Sequence, residues 1–273
     1  MTSSTRGALN FSTAECEKID PYIPPPGSSQ DSRPHVTLTY ATSLDSNLSI
    51  APGVQTLLSG PESKSMTHYL RSRHDAILIG AGTAIADDPS LNCRIEGVGG
   101  YGGDGLDGQP RPVVLDPNGR WNLTDASKII KLAREGRGRA PWVFAGHSFA
   151  VDKQRAIERV GGKVFLVTYT DPQASSGRLG WTQILSTLAK EGIKSVMVEG
   201  GGVVINDLLS SNNIQLVDSV IITIAPTWLG RDGVQVCPPE RAENGQRVPV
   251  GRLKEVKWIP LGDDVVLCGR PNV

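Results

Sequence analysis

The chain has 273 residues, 38% of them hydrophobic, enough for one large α/β domain or two small ones with a substantial core. Lys+Arg and Asp+Glu balance at 28 each, so no global field draws nucleic acid or an anionic membrane, and only local basic pockets remain possible. Four widely spaced cysteines, Cys16, Cys93, Cys237 and Cys268, form no C-x-x-C pair, which argues against zinc and against a disulfide framework. No apolar run approaches membrane-spanning length, and the N-terminus has neither a basic n-region nor an apolar h-region. The expected location is therefore the cytoplasm, with no membrane or nucleic-acid partner and no metal.

Residues 1–33 include the run PYIPPPGSS beginning at Pro21, too poor in apolar residues to pack and held extended by its prolines. They read as an N-terminal arm that either lies along the domain or stays mobile, a choice the sequence leaves open. The folded domain is expected over 34–273, starting with an alternating strand at 35–40 that ends in the polar stretch 41–47. Ser59 and Glu62 have capping-box spacing with Pro61 in the first turn, which predicts a helix from 61 to 73 whose inner face is Met66, Tyr69 and Leu70. His74, just beyond it, reads as a residue complementing the helix dipole. The apolar run 76–79 predicts a buried parallel strand that ends at Gly80 and Gly82.

Residues 96–110 form a glycine run without lysine or a following helix; they read as a flexible insertion without a catalytic role. The rest alternates as βαβ units do. Strands are expected at 113–115, 142–145, 164–167 and 195–198, and helices at 152–160, opened by an Asp152 cap, and 182–191, stopped by Gly192. After Glu199 come Gly200, Gly201 and Gly202, then a helix over 203–209. A long strand at 217–225 and a terminal hairpin of 253–258 with 265–268 complete one mixed-sheet domain.

Two glycine turns at strand ends suit an elongated phosphorylated ligand laid across the carboxyl edge of the sheet, because glycine lets the backbone approach it closely. Glu199 is then either a carboxylate aimed at a ligand's hydroxyl or amino donors, or a solvated cap of the next helix. Asp87 and Asp88 cannot both ionise cheaply in a partly buried site, and Asp88 before Pro89 is the turn former. The motifs of metalloproteases, serine hydrolases and P-loop proteins are absent. Hydride transfer from a nicotinamide asks for less, since the cofactor brings the reactive atom.

Several motifs in order carry a family resemblance: YATSLD at 40–45, AILIGAGTAIADDPSLNCR at 76–94, VVLD at 113–116, VEGG at 198–201 and APTWLG at 225–230. Together they resemble the riboflavin-pathway reductases over roughly residues 34–270. The resemblance implies a dihydrofolate-reductase-like α/β fold, a mixed sheet flanked by helices in a single domain. It also implies NADPH as hydride donor, a homodimer, and reduction of the ribosylamino side chain of a phosphorylated pyrimidine to ribitylamino at C1′. Carried over by position, the cofactor contacts fall on Ala41, Thr83, Asp87, Gly201, Gly202, Val203, Val204, Ile205, Asn206 and Asp207. The substrate contacts fall on Arg71, Leu91, Arg94 and Glu199, the two arginines as phosphate clamps.

Leu57 and Gln55 depart from the pattern, standing where bacterial members carry tryptophan and serine, so neither is counted as a site residue. The zinc deaminase signature is absent from the sequence, which points to reduction before deamination. No side chain is identified as the proton donor. Two alternatives stay open: a pterin or folate reductase of the same fold, and a non-catalytic NADPH-binding regulator.

Overall fold

The computed structural model describes residues 7–25, 33–146, 149–167 and 180–272. Its centre is a nine-stranded sheet. In spatial order the strands are β12 (Leu253–Leu261), β13 (Asp264–Pro271), β9 (Ser219–Ile224), β1 (His35–Thr42), β8 (Ser195–Gly200), β2 (Ala76–Gly80), β5 (Arg111–Asp116), β6 (Trp142–Ala145) and β7 (Lys163–Leu166). The seven from β9 to β7 run parallel, while β13 lies antiparallel on β9 and pairs with β12 as a hairpin. The mixed sheet and terminal hairpin agree with expectation. Two small pairs lie outside it: β3 (Val98–Gly99) with β4 (Gly102–Gly103), and the hairpin β10 (Arg241–Glu243) with β11 (Gln246–Val248), which the periodicity did not reveal.

Alternation of side chains explains the layers. One row across the sheet, Leu38, Val198, Leu78, Val113 and Trp142, packs against α6 (Trp181–Lys190) and α7 (Gly202–Leu208) through Ile184, Leu185, Leu188, Ile205 and Leu208. Ile77, Ile79, Val114 and Val143 face the other way, against α3 (Ala81–Asp87), α4 (Lys128–Arg134) and α5 (Val151–Glu158). Met197, Ile221, Val266 and Cys268 share that second face under α2 (Pro61–Ser72), whose Met66, Tyr69 and Leu70 are buried as expected. Strands β2, β5, β6 and β8 are thus apolar on both faces, as parallel strands covered by helices are, whereas β1 and β9 turn buried Thr37, Thr39, Ser219 and Thr223 to the second face.

Several local expectations need correction. Residues 7–25 of the N-terminal segment are packed on the domain, with helix α1 (Thr13–Ile19) capped by Ser12 and with Ile19, Tyr22 and Ile23 buried beside α2. Three apolar residues at the turns of a short helix suffice where a sheet face is already present. Residues 1–6 and 26–32 of the expected arm lie outside the described residues. The glycine run forms a compact loop: a side chain at Gly99 would bring its Cβ to 2.6 Å from the Gly105 carbonyl oxygen, and buried Gln109 bonds Cys93 N and O and Gly99 O. Its glycines permit close backbone approach.

Neither predicted side-chain cap forms. Asp152 lies inside α5, and α2 begins at Gly60 with buried Asp264 accepting from Gly60 N (2.9 Å) and Ser63 Oγ (2.6 Å). His74 does meet the end of α2, but as a neutral ring. Its Nδ1–H donates to Leu70 O (2.7 Å) and its Nε2 sits 2.8 Å from Thr37 Oγ1.

Burial pushes the His74 imidazole down to about 4, only partly offset by the Leu70 carbonyl. Burial also pushes His68 down to about 2, with Arg71 and Arg94 adding to the effect. Unfolded, both rings take a proton near pH 6.5. Between that pH and the folded values the unfolded chain binds more protons, so stability is full above about pH 6.5 and declines on acidification. The expected slope is about 1.4 kcal/mol per pH unit for each ring, and urea unfolding at pH 7.5 and pH 5.0 should differ by about 2–4 kcal/mol. An unchanged midpoint would mean that the folded protein protonates these rings freely.

Candidate active site

The strand ends of β2 and β8 are neighbours in the sheet, and their glycines pack on each other. A Cβ at Gly80 would lie 3.0 Å from Val204 Cγ2, and one at Gly201 would lie 2.7 Å from Thr83 Oγ1. Gly200 has φ +112, a conformation a side chain rarely adopts, and the Gly200–Gly201 peptide is cis. Helices α3 and α7 start directly from these ends with no side-chain cap, leaving their first-turn amides unpaired by capping groups. Beside them opens a cleft of about 1010 Å³, within the range of small-molecule and cofactor sites.

The cleft is lined by Ala41, Thr83, Asp87, Glu199, Gly201, Gly202, Val203, Val204, Ile205 and Asp207, so ten of the residues singled out from sequence come together there. Asn206 does not join them. Its side chain holds the following loop, donating from Nδ2 to Gln235 O (2.9 Å) and accepting from Cys237 N (2.7 Å), and that loop supplies Val234 to the cleft wall. Asp207 accepts the indole N–H of Trp181 (2.7 Å), fixing a second wall residue. Desolvation raises the Asp87 carboxyl, with Lys128 opposing. Asp88 is the left-handed C-cap of α3 and accepts from Lys128 N (3.2 Å), the turn-forming role expected.

Glu199 lines the cleft and gives α7 no cap, so it is not the solvated helix cap that was one of its two readings. Both its oxygens are held by Arg71, with Nε to Oε1 at 2.8 Å and Nη2 to Oε2 at 2.7 Å, while Arg71 Nη1 donates to Asn92 O (3.1 Å). Burial disfavours the Arg71 cation, but Glu199 outweighs it and the guanidinium pKa is raised. Arg71 is therefore largely buried behind Glu199 rather than solvated at the helix end. Leu91 and Arg94 lie outside the cleft lining: Leu91 is buried with φ +47, and Arg94 Nη1 donates to Gly7 O (2.7 Å). His68, whose Nδ1 accepts from Arg94 N (3.1 Å), sits between the two arginines.

The model of the RibD C-terminal domain matches residues 34–267. The chain belongs to the RibD C-terminal domain family. A relative from Debaryomyces hansenii, 41% identical over 92% of this chain and 94% of its own length, is a 2,5-diamino-6-ribosylamino-4(3H)-pyrimidinone 5′-phosphate reductase. The Saccharomyces cerevisiae protein of that name is 39% identical over 91% of this chain and 92% of its own. The solved structure of Saccharomyces cerevisiae riboflavin biosynthesis reductase Rib7 superposes with a TM-score of 0.72 at 35% identity, covering 94% of this chain and 98% of that one. Acinetobacter baumannii RibD shares the fold, with a TM-score of 0.68 at 24% identity over 89% of this chain and 59% of that one.

As a RibD C-terminal domain the chain is a pyrimidine-reductase-type oxidoreductase with a dihydrofolate-reductase-like fold. Its motifs at 43–45 and 225–230 act together as a brace: Asp45 accepts from Leu229 N (3.1 Å) and Gly230 N (2.7 Å), and Leu44 N donates to Thr227 O (2.8 Å). The Ser43 hydroxyl and these amides hold the Asp45 carboxyl below the usual range.

Some cleft residues of this RibD domain escaped the sequence reading. Leu57 and Gln55, set aside as departures, both line the cleft from the 48–59 segment. So do Tyr40, the first residue of YATSLD, and Arg120, four residues beyond VVLD, neither of which was singled out as a site residue. Desolvation pushes the Tyr40 phenol up to about 12, so it stays protonated at neutral pH.

Removing Arg71 would leave Glu199 uncompensated in a largely buried position. Arg71→Ala is expected to cost about 3–5 kcal/mol of unfolding free energy, more than Glu199→Gln, with the double variant recovering part of the loss. Strictly additive effects in that cycle would mean the two side chains act independently.

Proposed function

We propose that this chain is the NADPH-dependent reductase that converts the ribosylamino side chain of 2,5-diamino-6-ribosylamino-4(3H)-pyrimidinone 5′-phosphate into the ribitylamino form. The observation that carries the reading is the carboxylate of Glu199, held on both oxygens by Arg71 at the lip of a cleft floored by two glycine strand ends. The name and near-full coverage of the fungal relatives support the substrate.

The residues fit a dinucleotide. The missing side chains at Gly201 and Gly202 let Thr83 Oγ1 and Val234 Cγ1 close on the backbone, where a Cβ would approach them to 2.7 and 2.6 Å, while a Cβ at Gly82 would meet nothing within 4 Å, so the backbone there stays open to a ligand. Ala41, Thr83, Asp87 and the backbone of 201–205 with Asp207 would hold it, and Asn206 would act by securing the adjoining loop. When bound, NADPH supplies the hydride for C1′ of the sugar. Glu199, fixed in position, accepts from hydroxyl or amino donors of the substrate, so its task is orientation. Arg71, Leu91, Arg94 and His68 lie behind it, outside the cleft lining; Glu199 takes up Arg71 and Gly7 O takes up Arg94, so neither guanidinium faces the cleft as a phosphate clamp in this arrangement.

The working form is a homodimer in the cytoplasm. Exposed Val256 and Trp258 on the outermost strand β12 offer an apolar edge, and four free thiols suit a reducing compartment. Among the described residues no helix is long and apolar enough to cross a membrane.

The test is NADPH consumption with the phosphorylated ribosylamino compound, its dephosphorylated form and dihydrofolate. Turnover confined to the first is expected; turnover of dihydrofolate would favour a folate reductase, and tight NADPH binding with no turnover would leave only a cofactor-binding protein. Gly201→Ala should weaken NADPH binding about tenfold or more, because its Cβ would displace Thr83.

A further inference from the structure

The cleft is unevenly charged. Among the described residues that line it, Asp87, Glu199 and Asp207 are carboxylates, and Arg120 is the only lysine or arginine. Arg120 is exposed and makes no side-chain hydrogen bond or ion pair among the described residues, unlike Arg71, which Glu199 already neutralises. Its backbone, by contrast, is firmly held. The carboxylate of fully buried Asp116, at the end of β5, accepts from Arg120 N and Trp121 N, both at 2.9 Å. Gly119 N donates to Asp116 O (3.1 Å), Lys153 Nζ to Gly119 O (2.8 Å) and Gly146 N to Pro117 O (3.1 Å). Trp121 is buried beneath the turn.

The order of strands gives the cleft a direction. Along the carboxyl edge β1, β8, β2 and β5 follow one another, contributing Ala41, then Glu199 and Gly201, then Gly80 to Thr83, then Pro117 to Arg120. A dinucleotide whose reactive ring lies beside Glu199 and whose pyrophosphate crosses the glycine ends therefore carries its adenosine toward β5. Two strand spacings, about 10 Å, separate β8 from β5. A phosphate on the adenosine ribose arrives where the cleft has, among the described residues, its one unpaired cation, and guanidinium matches phosphate by paired hydrogen bonds.

Resting on the reading of the cleft as an NADPH site, we propose that Arg120, presented by the Asp116-clamped turn, binds the 2′-phosphate and sets the preference for NADPH over NADH. Asp116 is the positioning residue. An arginine on a loose loop would lose more side-chain and backbone freedom on binding, and the two amide bonds to Asp116 remove the backbone part in advance.

Equilibrium titration of the full chain with NADPH, NADH, 2′,5′-ADP and 5′-AMP tests this without turnover. The wild type should prefer each 2′-phosphorylated ligand. Arg120→Gln should weaken NADPH and 2′,5′-ADP about tenfold to a hundredfold while NADH and 5′-AMP stay within about twofold, and Arg120→Lys should restore part of the loss. Asp116→Asn, which keeps the shape of the turn but loses one acceptor, should lower the NADPH to NADH ratio by a smaller factor. A wild-type preference that Arg120→Gln leaves unchanged overturns the role of Arg120 and leaves the cofactor reading standing. A wild type that binds NADPH and NADH equally overturns the cofactor reading itself.

Discussion

The close approach of β2 and β8 at their carboxyl ends is the constraint on which the cleft depends. Parallel strands about 4.8 Å apart leave little room for side chains where both chains turn into helices on opposite faces of the sheet. Glycine at 80 and at 200–202 solves that crowding: Val204 reaches Gly80, Thr83 reaches Gly201 and Ile205 reaches Gly200 at distances a Cβ would violate. Gly82, where a Cβ would meet nothing within 4 Å, is different: it lines the cleft with its backbone uncovered. A substitution at 80 or 200–202 thus disturbs the packing of the strand ends and, through Thr83 and Val204, the cleft wall.

Glu199 and Arg71 extend the argument from backbone to charge. A lone carboxylate in a half-buried cleft would be expensive to keep ionised, and a lone arginine under the N-terminal segment equally so. Paired in a bidentate contact, each makes the other tolerable, and the pair fixes the carboxylate in one orientation. Arg71 donates its third contact to the carbonyl of Asn92, tying α2 to the chain that follows α3. The N-terminal segment closes the far side of the same wall through Gly7 and Leu9 against Arg94, so residues far apart in sequence share one electrostatic unit.

The sequence made the strands legible because central parallel strands are continuous apolar runs, and β2, β5, β6 and β8 fell where such runs stand. It hid α1 and α4, whose few apolar residues acquire meaning only against a sheet face already built. Glycine was ambiguous in the same way: at 80 and 200–202 its position at strand ends disclosed a purpose, whereas at 99 and 103 the purpose is contact with other backbone in the loop. The cap of α2 read from local spacing failed because the helix starts from Gly60, one residue later, where Asp264, some two hundred residues beyond α2, accepts from Gly60 N and Ser63 Oγ. In the cleft, motif matching singled out ten of the wall residues but passed over Arg120, since nothing in its neighbourhood distinguishes it from any exposed arginine until the turn is folded.

Three aspartates outside the cleft lining, two of them in the motifs, fix chain segments near it. Asp45, Asp116 and Asp264 each take up amides or hydroxyls of a turn that would otherwise be left to solvent. Each holds in place a segment bordering the cleft: the 229–230 turn, the 117–120 turn and the 59–60 entry to α2. Hydrogen bonds from several donors to one carboxylate are stronger than neutral ones and fix two backbone units at once. The chain therefore spends its structural carboxylates on the rim and leaves the interior of the cleft to Glu199, Asp87 and Asp207. With negative charge dominating inside, any phosphorylated ligand of this cleft would have to meet the uncapped first-turn amides of α3 and α7 and the cation at the margin, Arg120, and its orientation would follow from where these lie.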